Sequence, residues 1–244
     1  MTQIAPHPPL REYYGEPANR EQFVKQLFDD SAPWYEWATG VLSLGSGNRY
    51  RRKVLARAGV KPGQRVLDIA TGTGGVARAA AAVTGDPRSV FGLDPSIGML
   101  LAGRQKARLP NVQGTSAQLP YRGGTFDVIT IGYALRHFAD LEGAFRECRR
   151  ILRPQGKLVI LEITAPASRT ARLLLGAYMG ALIPAAALAV TRRARVAEMM
   201  RYYWATTRHC VRPEVILAAM AAAGFRDPTR SVELGIFSEY SGRM

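Results

Sequence analysis

The residues with the clearest capacity for chemistry lie in Val66-Leu-Asp-Ile-Ala-Thr-Gly-Thr-Gly-Gly75. A short apolar strand runs into a glycine-rich turn formed by Ala70, Gly72, Thr73 and Gly74, and a helix begins near Gly75. Gly72 and Gly74 let a ligand approach the backbone closely, and the helix start supplies unpaired N–H groups. The run Gly72-Thr-Gly-Gly-Val-Ala77 satisfies the dinucleotide pattern GxGxx(G/A). Asp68 ends the strand, where an anion would repel a pyrophosphate; it suits a cationic ligand such as an ammonium, directly or through water. Asp94 ends a second strand, the position from which a carboxylate holds both ribose hydroxyls. In Asp94-Pro-Ser96 it is also a good helix-capping residue. Met99, one turn further, can pack on an adenine face or serve as core.

These groups need a scaffold that brings strand ends together. Arg65–Ile69, introduced by the turn Lys61-Pro-Gly-Gln64, reads as a first strand. Ser89–Leu93 reads as the second, Val112–Thr115 as a weak third, Phe126–Ile131 as the fourth and Leu158–Ile163 as the fifth. Helical stretches fall between them, for example Leu141–Leu152. This alternation predicts a parallel sheet covered by helices on both faces. Residues 1–18 read as a flexible N-terminal arm, with no apolar stretch of the secretory type. Residues 19–244 read as a single domain, with 19–58 as a helical cap.

No charged residue occurs from Leu173 to Val190, the lower edge of membrane-spanning length. Pro184 and the glycines argue against a span. A helical insertion over 170–210 that covers the active site or dips into a membrane surface, and a buried core helix, are both open readings.

Lys and Arg number 33 against 19 Asp and Glu, a net charge of +14. Such a surface attracts nucleic acid, anionic membrane or acidic ligands. Most of the charge is spread along the chain and reads as compositional bias. The two dense clusters, Arg49–Lys53 and Arg192–Arg195, read as membrane-attracting. Cys148 and Cys210 are the only cysteines, which excludes a disulfide scaffold and fits a reducing cytosol. Together with His7, His137 and His209 they do not complete a zinc site, and no metal is expected.

The glycine-rich loop, Asp94, Leu119-Pro-Tyr121 with Phe126-Asp127, and Arg150–Gly156 resemble those of class I S-adenosylmethionine-dependent methyltransferases. The closer resemblance is to the ubiquinone/menaquinone-biosynthesis C-methyltransferases. Leu67–Gly74 is similar to that family's LDxAxGTG, Thr130–His137 to its TIxxGLRN, Leu158–Pro166 to its LLxLEFxxP, and Tyr35–Gly45 to its YDxxNxxxSxG. Ala223-Gly-Phe225 and Leu234-Gly-Ile236 resemble its AGF and LTxGI. Thr71 and Gln155 stand where the family has glycines, and Thr39 and His137 where it has asparagines. Thr115-Ser116 replaces its Asp/Asn-Ala pair, and Glu239–Met244 its closing HxGxK.

The resemblance implies a Rossmann-like, doubly wound, mostly parallel seven-stranded sheet that binds S-adenosylmethionine. Tyr35, Asp68, Ala70, Gly72, Thr73, Gly74, Asp94, Met99, Thr115 and Ser116 would contact this cofactor. Methyl transfer to a ring carbon needs a base for the adjacent hydroxyl and a group that stabilises the resulting anion. His137 and Arg136, just past the fourth strand, are the candidates; the other reading of His137 is a backbone contact at the start of a Phe138–Leu152 helix. Tyr133 and the helical aromatics Tyr203 and Trp204 are candidates for the acceptor pocket, although such a run also suits a core. The expected acceptor is a lipophilic aromatic, quinol-like or isoprenoid small molecule collected from an anionic membrane surface by a cytoplasmic enzyme. O-methylation of a phenolic metabolite is the alternative. A nicotinamide-dependent oxidoreductase would leave Asp68 unexplained. A nucleic-acid methyltransferase would need an (N/D/S)PP(Y/F/W) motif where Ile131-Gly-Tyr-Ala stands. A non-catalytic cofactor-binding protein is the remaining rival. Nothing in the sequence specifies an oligomeric state.

Overall fold

The computed structural model describes residues 3–43 and 45–244, so Met1 and Thr2 of the expected arm and Leu44 of the Tyr35–Gly45 motif lie outside the described residues. In chain order the elements are α1 (Arg11–Tyr14), α2 (Arg20–Leu42), α3 (Gly47–Arg57), β1 (Val66–Ile69), α4 (Gly75–Thr84), β2 (Val90–Asp94), α5 (Ile97–Arg104), β3 (Asn111–Gln113), β4 (Phe126–Gly132), α6 (Leu141–Ile151), β5 (Leu152–Ile163), α7 (Arg169–Ala177), α8 (Ile183–Thr191), α9 (Ala194–His209), α10 (Pro213–Ala222), β6 (Arg226–Glu233) and β7 (Phe237–Arg243). The strands form one sheet in the order β3-β2-β1-β4-β5-β7-β6. The first five are parallel, and β7 runs antiparallel between β5 and β6. This is the Rossmann-like, doubly wound sheet that the sequence predicts.

Two apolar cores explain the layering. Side chains of β1, β4 and β5 alternate between the faces. Leu67, Ile69, Ile129, Ile131, Leu158 and Ile160 pack against α6 and α10 on one side. Val66, Val128, Val159 and Leu161 pack against α3 and α4 on the other. The strand order reverses between β1 and β4, so the crevice above their C-terminal ends is the ligand position of such sheets. Register sets its floor: Ile69 pairs with both Leu93 and Ile131, so Ala70 and the strand-end residues Asp94 and Gly132 stand at one level.

The helical stretch expected over 19–58 is two helices, α2 ending at Leu42 and α3 starting at Gly47. Pro33 lies inside α2 and has no N–H for the Asp29 carbonyl. At that carbonyl Gly98 of α5 approaches so closely that an added Cβ would lie 3.0 Å from it.

The arm is not loose over its described part. Ile4 N–H donates to Asp140 Oδ1 at 3.1 Å, Leu141 N–H to the Ile4 carbonyl at 2.9 Å and Val211 N–H to the Pro6 carbonyl at 2.7 Å. His7, Leu10 and Tyr14 are buried. Prolines remove donors but leave carbonyls, and these tie the arm down.

The segment Arg169–Thr191 is one helical rod with a π turn at Tyr178–Leu182. That turn precedes Pro184, whose missing N–H the wider turn accommodates. The rod is not a buried core helix: Leu173 is 75% exposed, Leu174 68% and Leu182 60%.

Candidate functional site

The loop after β1 is built by its own backbone. Ala70 takes a left-handed conformation (φ 53°) despite its Cβ, and Gly72 and Gly74 follow at φ 56° and 83°. Thr71 N–H donates to the Leu93 carbonyl at 3.0 Å, and Gly74 N–H to the Thr71 carbonyl at 2.8 Å. Gly74 then caps α4. A Cβ on Gly72 would meet nothing nearer than the Tyr35 ring at 4.0 Å, so its surface is open to a ligand.

Asp68 is buried and accepts from the hydroxyls of Thr71 at 2.7 Å and Thr130 at 2.6 Å. Thr71, which replaces a family glycine, thus gives Asp68 one of its partners. Burial raises the Asp68 pKa to about 6 against the pull of these donors. Asp94 accepts from Gly72 N–H at 2.7 Å and from Ser96 N–H at 2.8 Å, leaving each oxygen a further lone pair. Burial raises it to about 6 as well. The cap of α5 is Ser96, not Asp94: its hydroxyl accepts from Met99 N–H at 3.0 Å. Asp29 on α2 reinforces that helix start, accepting from Ser96 Oγ at 2.6 Å and Gly98 N–H at 2.8 Å.

A cavity of about 150 Å³ lies over this loop, and Tyr35, Asp68, Ala70, Gly72, Thr73 and Tyr133 are among its lining. Tyr133 ends β4 as Ala70 ends β1, again left-handed at φ 59°. Asp94 adjoins through Gly72, and its carbonyl accepts from Gly114 N–H at 3.1 Å, which sets half-buried Thr115 and Ser116 beside it. Met99 is buried at the start of α5. Of the ten expected cofactor residues, Tyr35, Asp68, Ala70, Gly72 and Thr73 line this cavity, Gly74 and Asp94 adjoin it through the loop, and Met99, Thr115 and Ser116 are not part of its lining.

Arg136, His137 and Tyr203 assemble a second cluster. Arg136 is fully buried and forms an ion pair with Glu162 of β5. Its Nε donates to Thr206 Oγ1 at 3.1 Å, and its guanidinium lies 3.8 Å from the Tyr203 ring centre. Burial alone would weaken its charge, but the Glu162 carboxylate outweighs that and holds it charged. His137 is stacked on Tyr202, with ring centres 5.6 Å apart, and meets the Phe28 ring edge-on at 5.3 Å. Burial pushes its pKa well below the usual value, and Arg136, Arg20 and His7 add to the effect. The imidazole is therefore neutral at physiological pH. Neither ring nitrogen has a partner among the described residues, so the His137 side chain makes no hydrogen bond to the backbone. The helix after it begins at Leu141, capped by Asp140. Trp204 is not brought to this cluster: it fits beneath Gly176 and Gly180 and lines a separate cavity with Tyr13, Arg201 and Arg208.

Three residues that the sequence reading passed over are part of the site. Glu162 stood in the quoted Leu158–Pro166 motif as a charged residue within an apolar strand, which was its signal. Glu36 accepts from Thr73 Oγ1 at 2.5 Å and from Arg78 at 2.7 Å, clamping the loop from α2. Arg51 belongs to the cluster read as membrane-attracting, yet it lines the cavity. Lys53 of the same cluster pairs with Glu233 at 2.9 Å, while Arg49 and Arg52 stay exposed.

A family model described as the ubiE/COQ5 methyltransferase family matches residues 17–238. A demethylmenaquinone methyltransferase of Symbiobacterium thermophilum is 33% identical over 193 residues, 76% of this chain and 77% of that protein. A ubiquinone/menaquinone biosynthesis C-methyltransferase of Ectopseudomonas mendocina is 31% identical over 219 residues, 87% of this chain and 84% of that one. Among solved structures, a possible histamine N-methyltransferase of Thermotoga maritima aligns with a TM-score of 0.63 at 18% identity, covering 89% of this chain and 98% of that one. That likeness concerns the fold alone.

Proposed function

The chain belongs to the ubiE/COQ5 methyltransferase family and is an S-adenosylmethionine-dependent methyltransferase, and from that premise we propose that it methylates a ring carbon of a lipophilic, quinol-like aromatic acceptor. The observation that carries this reading is one continuous aromatic wall. Tyr35 lines the cofactor cavity and contacts Phe28 (6.2 Å between ring centres), Phe28 contacts His137, and His137 stacks on Tyr202. A planar apolar ring would enter where Tyr35 and Tyr133 line the cavity and reach along this wall toward the buried polar atoms of Arg136 and His137.

The residues suit the cofactor: the open face of Gly72 would leave room for it, and the free lone pairs of Asp94 would accept from ribose hydroxyls. Thr115 and Ser116 would lie toward the adenine and Thr73 and Gly74 would shape the turn beneath the cofactor, whereas Met99 is fully buried and serves as core. Bound there, S-adenosylmethionine supplies an activated methyl group. The protein aligns the acceptor and excludes water. A neutral His137 takes the proton from the acceptor hydroxyl, and the spare Nη2 of Arg136 stabilises the resulting oxyanion.

A lipophilic acceptor is met at a membrane. The exposed Leu173, Leu174 and Leu182 of the α7–α8 rod, with Arg169 and Arg172 in its first turn and Arg192 and Arg193 after it, provide an apolar face framed by cations. We place the enzyme in the cytoplasm, docked through this rod on an anionic membrane surface.

The test uses purified protein, methyl-labelled S-adenosylmethionine and a demethylated, reduced naphthoquinone. Label on a ring carbon in the lipid fraction is expected; label confined to aqueous metabolites or attached through oxygen would reject the acceptor. In flotation with phosphatidylglycerol vesicles at low salt, the protein should rise with the vesicles and Leu173→Glu should not. Wild-type protein that stays unbound would remove the membrane step.

A further inference from the structure

Arg51 is the unexplained charge of the cavity. The lining carries three charged side chains, Glu36, Arg51 and Asp68. Glu36 is held by Arg78 and Thr73, and Asp68 by Thr71 and Thr130. Arg51 makes no hydrogen bond or ion pair among the described residues, and its Nε is buried without a partner. Two glycines leave room for it. A Cβ on Gly47 would lie 3.2 Å from Nη1, and one on Gly75 would lie 3.3 Å from Cζ. The guanidinium therefore sits over the first residue of α4, a helix whose start has no side-chain cap. Cation and helix N-terminus face the same space, and both favour an anion.

The cofactor supplies a matching set of charges. The methionyl end of S-adenosylmethionine carries one carboxylate and two cationic groups, the ammonium and the sulfonium. Among the described residues the cavity offers one unpaired cation and two carboxylates, Asp68 and Glu36, the second already paired with Arg78. We infer that Arg51 binds the α-carboxylate of the methionyl end, turning the ammonium and sulfonium toward Asp68 and Glu36. This inference rests on S-adenosylmethionine being the cofactor. Arg51 thereby fixes the direction in which the cofactor enters, with adenosine toward Asp94 and the amino acid beneath α3. Tyr133, 5.6 Å from the guanidinium, closes the space on the side of the proposed acceptor.

The test compares two ligands by calorimetry on intact protein: S-adenosylhomocysteine, which has the carboxylate, and decarboxylated S-adenosylmethionine, which lacks it. Arg51→Met should weaken the first by roughly 10- to 100-fold and the second by less than about threefold. Arg51→Lys should regain part of the loss. A misfolded variant would lose both ligands alike, so the ratio of the two affinities is the readout. Equal weakening of both would make Arg51 a loop support, and no weakening of either would send the carboxylate elsewhere; each overturns the inference. A lysine variant as weak as the methionine variant would overturn the charge pairing. Wild-type protein that binds neither ligand would instead overturn the cofactor assignment.

Discussion

The two sides of the crevice handle buried polarity differently. On the cofactor side the buried acids are provided for, with Arg51 Nε the one cavity atom left over among the described residues: Asp68 has two threonine hydroxyls, and Asp94 has the N–H groups of Gly72 and Ser96. On the proposed acceptor side, Arg136 Nη2, Glu162 Oε2, both ring nitrogens of His137 and the Tyr202 hydroxyl are buried without partners among the described residues. A buried polar atom left unpaired costs about 1–3 kcal/mol, and several together mark a place where recognition outweighs stability. The electrostatics divide in the same way. The carboxyls of the first side titrate near pH 6, whereas the second side keeps a charged arginine and a neutral histidine.

The largest expected effect lies on the acceptor side. His137→Ala should leave cofactor affinity unchanged and cut turnover by roughly 10²–10⁴-fold. Unchanged single-turnover rates would remove it as the base. Glu162→Ala, which leaves Arg136 buried and uncompensated, should cost about 3–5 kcal/mol in urea unfolding. A loss below about 1 kcal/mol would mean that water reaches the pair, and the contrast between the two sides would fail.

On the cofactor side the expected effects are smaller. Gly72→Ala forces a Cβ into the left-handed region at a cost of about 1–2 kcal/mol, with a matching loss of cofactor affinity. An unfolding midpoint indistinguishable from wild type would show that the turn can relax.

The smallest effect concerns pH. Asp68 and Asp94 have folded values of about 6, above the ordinary 3.8, so the folded chain holds these protons more tightly. Their contribution to stability is present below the unfolded value and is lost as pH rises through about 6. Cofactor binding needs the carboxylates and runs the other way. Affinity for S-adenosylhomocysteine should fall below pH 6, by at most about tenfold per pH unit for each acid. His137 adds no step near its usual value. At saturating cofactor, an acid limb in turnover near pH 6.5 would contradict its depressed pKa.

Legibility followed the same division. The glycine turn and the first four strands lie within two residues of where the sequence puts them, because strand periodicity and turn chemistry act over a few residues, whereas β5 already begins at Leu152, where a helix end was expected. The proline-bearing arm misleads: its prolines signal looseness, but its carbonyls find donors at Leu141 and Val211, far along the chain. Arg20 is similarly silent in sequence. Only in the fold does it donate to the carbonyls of Arg136 and Phe138, both at 3.1 Å, and hold the His137 segment in place. Tyr203 and Trp204 are neighbours in a single aromatic run, yet one lies under Arg136 and the other under α7. A step of about 100° along a helix separates them, and no local pattern says which face looks inward.

By itself, then, the sequence determined the sheet, the loop and the family likeness, since each is written in short runs whose geometry the backbone imposes. Tertiary structure alone decided what the arginines do. Arg136 is buried against Glu162, Arg51 lines the cavity and Arg192 stays exposed beside the apolar rod. An arginine is the same cation in every sequence window, and its role depends on the partners and the water that the fold leaves around it.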